Sequence, residues 1–177
     1  MKLLLISGSL RADSYNTALL RNVEEEAVLW DELKELPHYS EEEDVEPAPS
    51  AVERIRAAVR DADAVLFSTP EYNGSVPGAL KDAVDWLSRP RGAAPLLNKP
   101  VAVVGASMSM FGAVWAQADL RRILKTAGAR VIETELPVAK AHEVFEDGRL
   151  LDAELHARLQ AIVDELLNIV VADEVAA

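Results

Sequence analysis

The sequence predicts a doubly wound α/β fold, and two observations carry that expectation. Lys2–Ser7 (KLLLIS), Ala64–Ser68 (AVLFS) and Val101–Ala106 (VAVVGA) are apolar almost throughout, as central strands of a parallel sheet buried on both faces are. Between them, apolar residues recur every three to four positions, the period of helices packed on a sheet. Strands alternating with helices imply right-handed crossovers and helices on both faces.

The first strand leads into a helix marked by Leu19, Leu20, Val23 and Ala27. A second strand is required before the acidic stretch, and Ala27–Trp30 (AVLW) is the one segment apolar enough, which makes the first helix short. Pro37 to Ser50 holds Glu41-Glu42-Glu43-Asp44, Pro47 and Pro49, and reads as an exposed loop because like charges at this density resist burial. Val52, Ile55 and Val59 mark the helix before the second central strand. After Ser75, the stripe Val76, Ala79, Leu80, Ala83, Val84 and Leu87 marks another, with Pro77 near its first turn. Leu120, Ile123, Leu124 and Ala127 mark a helix stopped by Gly128, followed by a short strand Arg130–Glu133 (RVIE) near an edge. Leu155, Leu159, Ile162, Val163 and Leu166 mark the last helix. With 177 residues and no internal repeat, residues 1–177 read as a single domain.

Composition removes whole classes of function. Zero cysteines exclude disulfide scaffolds, cysteine-ligated zinc, iron–sulfur clusters and thiolate catalysis, so any redox chemistry needs a bound cofactor. Eighteen Lys plus Arg against 30 Asp plus Glu give a net charge of −12, which argues against nucleic acid and anionic membrane surfaces. The apolar run Leu3–Ile6 is too short for a signal-peptide core or a membrane span, so the chain reads as cytoplasmic. His38, His142 and His156 lack metal-ligand spacing.

In an open parallel sheet, ligands gather beyond the carboxyl ends of the strands, where strand order reverses. After the first strand, Ser9, Ser14 and Thr17 supply hydroxyls, Asn16 an amide and Arg11 a cation around a helix start, a phosphate cradle in composition. The alternative is that Ser14 or Asn16 only caps the helix and Arg11 faces solvent. Neither G-x-x-x-x-G-K-[ST] nor G-x-G-x-x-G is present. After the second central strand, Thr69-Pro70-Glu71-Tyr72-Asn73-Gly74-Ser75-Val76-Pro77-Gly78 makes a rigid turn whose amides can bond the edge of a flat heterocycle while Tyr72 covers a face. An ordinary strand-to-helix turn is the alternative. After the third, Gly105–Ala113 is small and apolar, and Ser107 lacks the glycine a nucleophile elbow requires.

GSLRADSYN (Gly8–Asn16), TPEYNGSVPGALKDAVDWLSR (Thr69–Arg89) and KPVAVVGAS (Lys99–Ser107) together resemble the NAD(P)H-dependent FMN reductase family, a flavodoxin-like group that includes quinone, chromate and azo-dye reductases. The resemblance implies a five-stranded parallel sheet of order 2-1-3-4-5 with FMN at the switch point. It implies that Ser9, Arg11, Ser14, Asn16 and Thr17 hold the FMN phosphate. Pro70, Glu71, Tyr72, Asn73 and Gly74 would lie along the isoalloxazine, with Ser107 near its far side. It implies hydride transfer from NADPH or NADH to the flavin and on to a small-molecule acceptor (a quinone, free flavin, azo compound or chromate-like oxyanion), with no obligatory catalytic side chain. It also implies a homodimer or homotetramer in which a neighbouring subunit closes the flavin site. The alternatives are a flavodoxin-type electron carrier and a non-catalytic flavin-binding protein. The chain departs from the family pattern after Ser107, where glycines become Ser109 and Ala113 and an arginine becomes Trp115. Arg89 and Arg91 are the cations considered for a ribose phosphate.

Overall fold

In the computed structural model, which describes residues 1–176, β1 (Leu3–Ser7) is paired on both sides. It pairs with β2 (Ala27–Trp30) from Leu3↔Ala27 to Ile6↔Trp30, and with β3 (Ala64–Ser68) from Leu3↔Ala64 to Ser7↔Ser68. β4 (Pro100–Ala106) joins β3, and both β5 (Arg130–Val131) and β6 (Pro137–Val138) join β4. The strands run parallel in the order β2-β1-β3-β4-β5, so the expected topology holds and the order reverses between β1 and β3.

The RVIE segment departs from expectation. Only Arg130–Val131 forms a strand, and the chain then steps out and returns as Pro137–Val138 beside the carboxyl end of β4, Gly105 facing Pro137. A proline is tolerated there because β6 lies at the sheet edge, where its missing N–H breaks no ladder.

Alternate strand residues point to opposite faces. Leu3, Leu5, Leu66, Ala102 and Val104 pack under α1 (Tyr15–Arg21) and α6 (Ala153–Ala176). Leu4, Ile6, Val65, Phe67, Val101 and Val103 pack under α2 (Ser50–Asp61), α3 (Gly78–Leu87) and α4 (Val114–Thr126). The central strands are buried on both faces, and each fully buried Leu, Ile, Val or Phe stabilises the fold by about 1.5–3 kcal/mol. The short helix α5 (Ala141–Val144) and the hairpin of β7 (Phe145–Glu146) and β8 (Arg149–Leu150) lead into α6.

The acidic loop is not wholly solvated as expected. Glu41 to Glu43 are exposed, but the Asp44 side chain is only 6% exposed, held by Arg56 Nη2 at 3.0 Å and by Arg89 Nε. Arg56, 1% exposed, donates through Nε to the Trp86 carbonyl at 3.2 Å and lies 5.8 Å from the Trp86 ring centre. Burial alone would raise the Asp44 pKa, and the hydrogen bonds from Arg89 and Arg56 outweigh it, holding the carboxyl below its ordinary value.

Candidate functional site

The carboxyl ends of β3 and β4 are riveted to the start of α1 by one side chain. Asn16 is 3% exposed, and its Oδ1 accepts from Ser68 Oγ at 2.8 Å and from the Ala106 amide at 2.9 Å, while its Nδ2 donates to the Ala106 carbonyl at 2.9 Å. The amide expected on a phosphate is thus committed inside the protein, joining the first turn of α1 to the ends of β3 and β4. Ser7, which closes β1, accepts from Thr17 Oγ1 at 2.9 Å. Ser14 caps α1, its Oγ accepting from the amides of Asn16 (3.2 Å) and Thr17 (3.3 Å), which leaves its own proton to donate outward.

Above this floor lies a cleft of about 140 Å³ lined by Ser9, Arg11, Ser14 and Asn16 from the first loop, Pro70, Glu71 and Tyr72 from the second, and Ser107 and Met108 from the third. Three loops distant in sequence thereby converge at the switch point. Thr17 lines an adjoining cleft with Ser9 and Arg11. Asn73 and Gly74 are exposed at the tip of a tight turn and do not line the cleft. Tyr15, Ala106 and Met108 also line the cleft, apolar or aromatic residues whose character had concealed them. The hydroxyls of Ser7 and Ser68 at the ends of apolar runs were a readable sign of a polar floor.

The first loop is a donor set without acceptors. The amides of Leu10, Ala12, Asp13, Ser14 and Tyr15 bond no protein group, and neither does the Arg11 side chain. Successive free N–H groups beside a guanidinium fit a phosphate. A Cβ added at Gly8 would come within 2.6 Å of Leu80 Cδ2, so the Leu80 side chain would have to shift.

The second loop is a two-residue hairpin. Asn73 (φ 53°) and Gly74 (φ 76°) are both left-handed, and Tyr72 and Ser75 exchange backbone hydrogen bonds of 3.1 and 3.2 Å. The turn holds Tyr72 half-exposed and leaves the amides of Glu71, Asn73 and Gly74 without protein acceptors. The Glu71 carboxylate is turned away to α4, where Oε2 accepts from the amides of Trp115 and Ala116, each at 3.0 Å. What Glu71 offers the cleft is therefore its backbone.

The third loop is self-bonded. Ser107 and Ser109 hydroxyls lie 2.8 Å apart, Ser109 Oγ accepts from the Phe111 amide at 3.2 Å, and the Lys140 amide donates to the Ser109 carbonyl at 2.8 Å. Ser109 has no positive φ, so a serine in place of the family glycine strains nothing there. Gly112 (φ 59°) and Ala113 (φ 60°) are both left-handed. Buried Gln117 ties the loop down, donating to the Gly112 carbonyl at 2.9 Å and accepting from the Leu136 amide at 3.3 Å. Trp115, 49% exposed, packs its ring against Phe111 in a tilted pair with centres 4.7 Å apart, and both stand outside the cleft with Met110.

Arg89 is consumed by Asp44, and Arg91 follows α3 at the edge where β4 begins, remote from the strand ends that form the cleft. A larger cavity, about 550 Å³, lies between α3 and α4, but its charged groups are spent on one another in the pairs Lys81–Asp85 and Asp119–Arg122. Hydrogen bonds from Ser75 and Arg122 hold Asp119 below its ordinary pKa. Among the described residues no cluster of His, Asp or Glu could hold a metal ion.

Comparison with known proteins agrees with this geometry. The profile of a family described as NADPH-dependent FMN reductase matches residues 1–143. An NAD(P)H-dependent FMN reductase of Pseudomonas aeruginosa is 40% identical over 167 residues, covering 90% of this chain and 90% of that protein. A quinone reductase of Pseudomonas putida is 37% identical over 169 residues, covering 92% and 91%. Among solved structures, FerB, a flavoenzyme NAD(P)H:(acceptor) oxidoreductase from Paracoccus denitrificans, superposes with a TM-score of 0.81 at 34% identity over 96% of each chain.

Proposed function

The chain belongs to the NADPH-dependent FMN reductase family and is an NAD(P)H-dependent flavoenzyme, and on that premise we propose that residues 1–177 act as one FMN-binding unit reducing quinone-like acceptors. The observation that carries the reading is the single cleft formed by Ser9, Arg11 and Ser14 with Pro70, Glu71, Tyr72 and Ser107. Bound FMN supplies the redox chemistry, taking two electrons from a reduced nicotinamide and passing them to the acceptor.

The residues present fit that cofactor. The unpaired guanidinium of Arg11, the free amides of Leu10, Ala12, Asp13, Ser14 and Tyr15 and the outward protons of Ser9 and Ser14 are donors for a phosphate. Thr17 and Asn16 hold this loop in place from below. The free amide of Glu71, on the cleft wall, can bond the polar edge of the ring system and stabilise negative charge there without reorganising, whereas Asn73 and Gly74 stand at the turn tip outside the cleft. Tyr72 can cover a ring face, and Ser107 borders the opposite side.

Exposed Tyr72, Met108, Met110, Phe111 and Trp115 supply an apolar rim around the cleft, which supports a homodimer or homotetramer in which a second copy covers the site. A cytoplasmic location belongs to the same reading. Among the described residues no helix is long and apolar enough to cross a membrane.

The test is an absorbance spectrum of the purified protein with FMN, followed by anaerobic titration with NADPH and NADH and re-oxidation by a benzoquinone. A yellow complex bleached by nucleotide and restored by quinone is expected. Protein that stays colourless with FMN overturns the reading, and a coloured complex that no nucleotide bleaches leaves only a flavin-binding protein.

A further inference from the structure

Among the described residues, three cations have no protein partner and line one cleft. Arg11, Arg21 and Lys34 line a second cleft, about 190 Å³, beyond the carboxyl ends of β1 and β2. Their side chains are exposed and make no ion pair or hydrogen bond. In a chain of net charge −12 such a gathering has a local cause. Glu32 and Glu35, which flank Lys34 in sequence, are both drawn onto Arg54, at 2.5 and 2.7 Å. The carboxylates that would neutralise Lys34 are therefore occupied elsewhere, and Asp31 is the one acid on the cleft wall. Two arginines and a lysine against one aspartate leave a positive recess in a negative surface, which concentrates an anionic ligand.

This recess shares only Ser9 and Arg11 with the flavin cleft; Arg21, Asp31 and Lys34 line it alone. With Arg11 committed to the FMN phosphate, the Arg21 guanidinium fork and the Lys34 ammonium remain for a phosphomonoester dianion, which has three strong acceptor oxygens. NADPH differs from NADH by one such group. Resting on the flavoenzyme reading above, we propose that this recess is the subsite for the 2′-phosphate of NADPH, with Arg21 and Lys34 as the residues that set preference for NADPH over NADH. Ser9 and Arg11 line both clefts, so the recess borders the flavin site along the first loop.

The test compares FMN-loaded wild type with Arg21→Ala, Lys34→Ala and the double variant, using NADPH and NADH as donors and a benzoquinone as acceptor. Both positions are exposed and neither belongs to the flavin cleft, so folding and the basal rate with NADH are expected to hold. In the double variant, which removes two charge-assisted contacts, KM for NADPH should rise about ten-fold or more. kcat, KM for NADH and the FMN dissociation constant should stay within about twofold. 2′-AMP should compete with NADPH in the wild type and more weakly in the variant. An unchanged KM for NADPH, or equal rises for both nucleotides, overturns the assignment. Loss of FMN affinity in parallel also overturns it, giving the cations to the flavin phosphate. A wild type that oxidises neither nucleotide overturns the flavoenzyme reading as well, whereas one that oxidises both and ignores the substitutions overturns the subsite alone.

Discussion

Glu71 Oε2 stands 3.0 Å from the amides of both Trp115 and Ala116, so the turn after β3 provides the N-terminal cap of the helix that follows β4. The residue in the cap position, Ala113, has no side chain able to do this. A carboxylate at a helix start satisfies orphan donors and opposes the positive end of the dipole, and here it also ties the second loop to the helix that follows the third.

Glu71→Ala should therefore cost about 1–2 kcal/mol of stability, while Glu71→Gln, which keeps an acceptor but loses the charge, should cost about half that. Urea unfolding of the three apo-proteins measures the series. FMN affinity should fall with the alanine variant in the same order, because the two loops are no longer held in register.

Arg11→Ala should weaken FMN about ten- to a hundred-fold, the loss of ~1.5–3 kcal/mol for a hydrogen-bonded charge. Riboflavin, which lacks the phosphate, should bind both proteins alike and more weakly than FMN binds the wild type. Fluorescence-quenching titrations with both flavins make the comparison; equal loss for riboflavin would remove Arg11 from the phosphate.

Gly112→Ala should be among the most damaging single changes in the chain. The left-handed φ of 59° disfavours any side chain, and a Cβ would come within 2.5 Å of the Pro137 carbonyl carbon and 2.7 Å of the Val138 amide, both backbone atoms of β6. Strain in the left-handed region alone is ~1–2 kcal/mol, and the clash adds to it because a packed backbone cannot yield. A drop of about 3 kcal/mol or more in thermal or urea unfolding is expected.

Asp44→Asn should lower stability at neutral pH by about 3 kcal/mol, since it leaves Arg56, 1% exposed, without its buried partner. The pH dependence has a definite sign. The Asp44 pKa is lowered in the folded protein, so its contribution is full above the ordinary carboxylate value and is lost as pH falls through the lower, folded value. Wild type should thus lose more stability than the variant on acidification from about pH 5 to pH 3. Parallel unfolding curves for the two proteins across that range would refute the ion pair.

The architecture was legible because it rests on local patterns. Unbroken apolar runs marked β1, β3 and β4, and even Ala27–Trp30 was recoverable as the one segment that could serve as β2. The residues that line the cleft were legible because strand ends converge at the switch point. What escaped was the direction of individual polar side chains. Asn16 has the right chemistry to touch a phosphate and instead bonds Ser68 and Ala106, 52 and 90 positions away. Glu71 reaches 44 positions forward to the start of α4. Asp44 sits in an acidic run whose other members are exposed, and only the fold brings Arg56 and Arg89 to it. No periodicity announces such pairings. The breaking of the edge strand into β5 and β6 escaped for a related reason, since Gln117 and Gly112 set the position of Leu136 and Pro137 from a distant loop.

The rivet at Asn16 has a consequence for how the coenzyme comes and goes. Because one buried amide locks the ends of two strands to the start of a helix, the seat is assembled during folding and owes nothing to its occupant. The empty protein should keep its shape, as a socket does when the plug is drawn. Stripped of flavin, it should take up fresh FMN in a single fast phase with no slow annealing step, which suits a coenzyme that is exchanged with the surrounding pool and not kept for life.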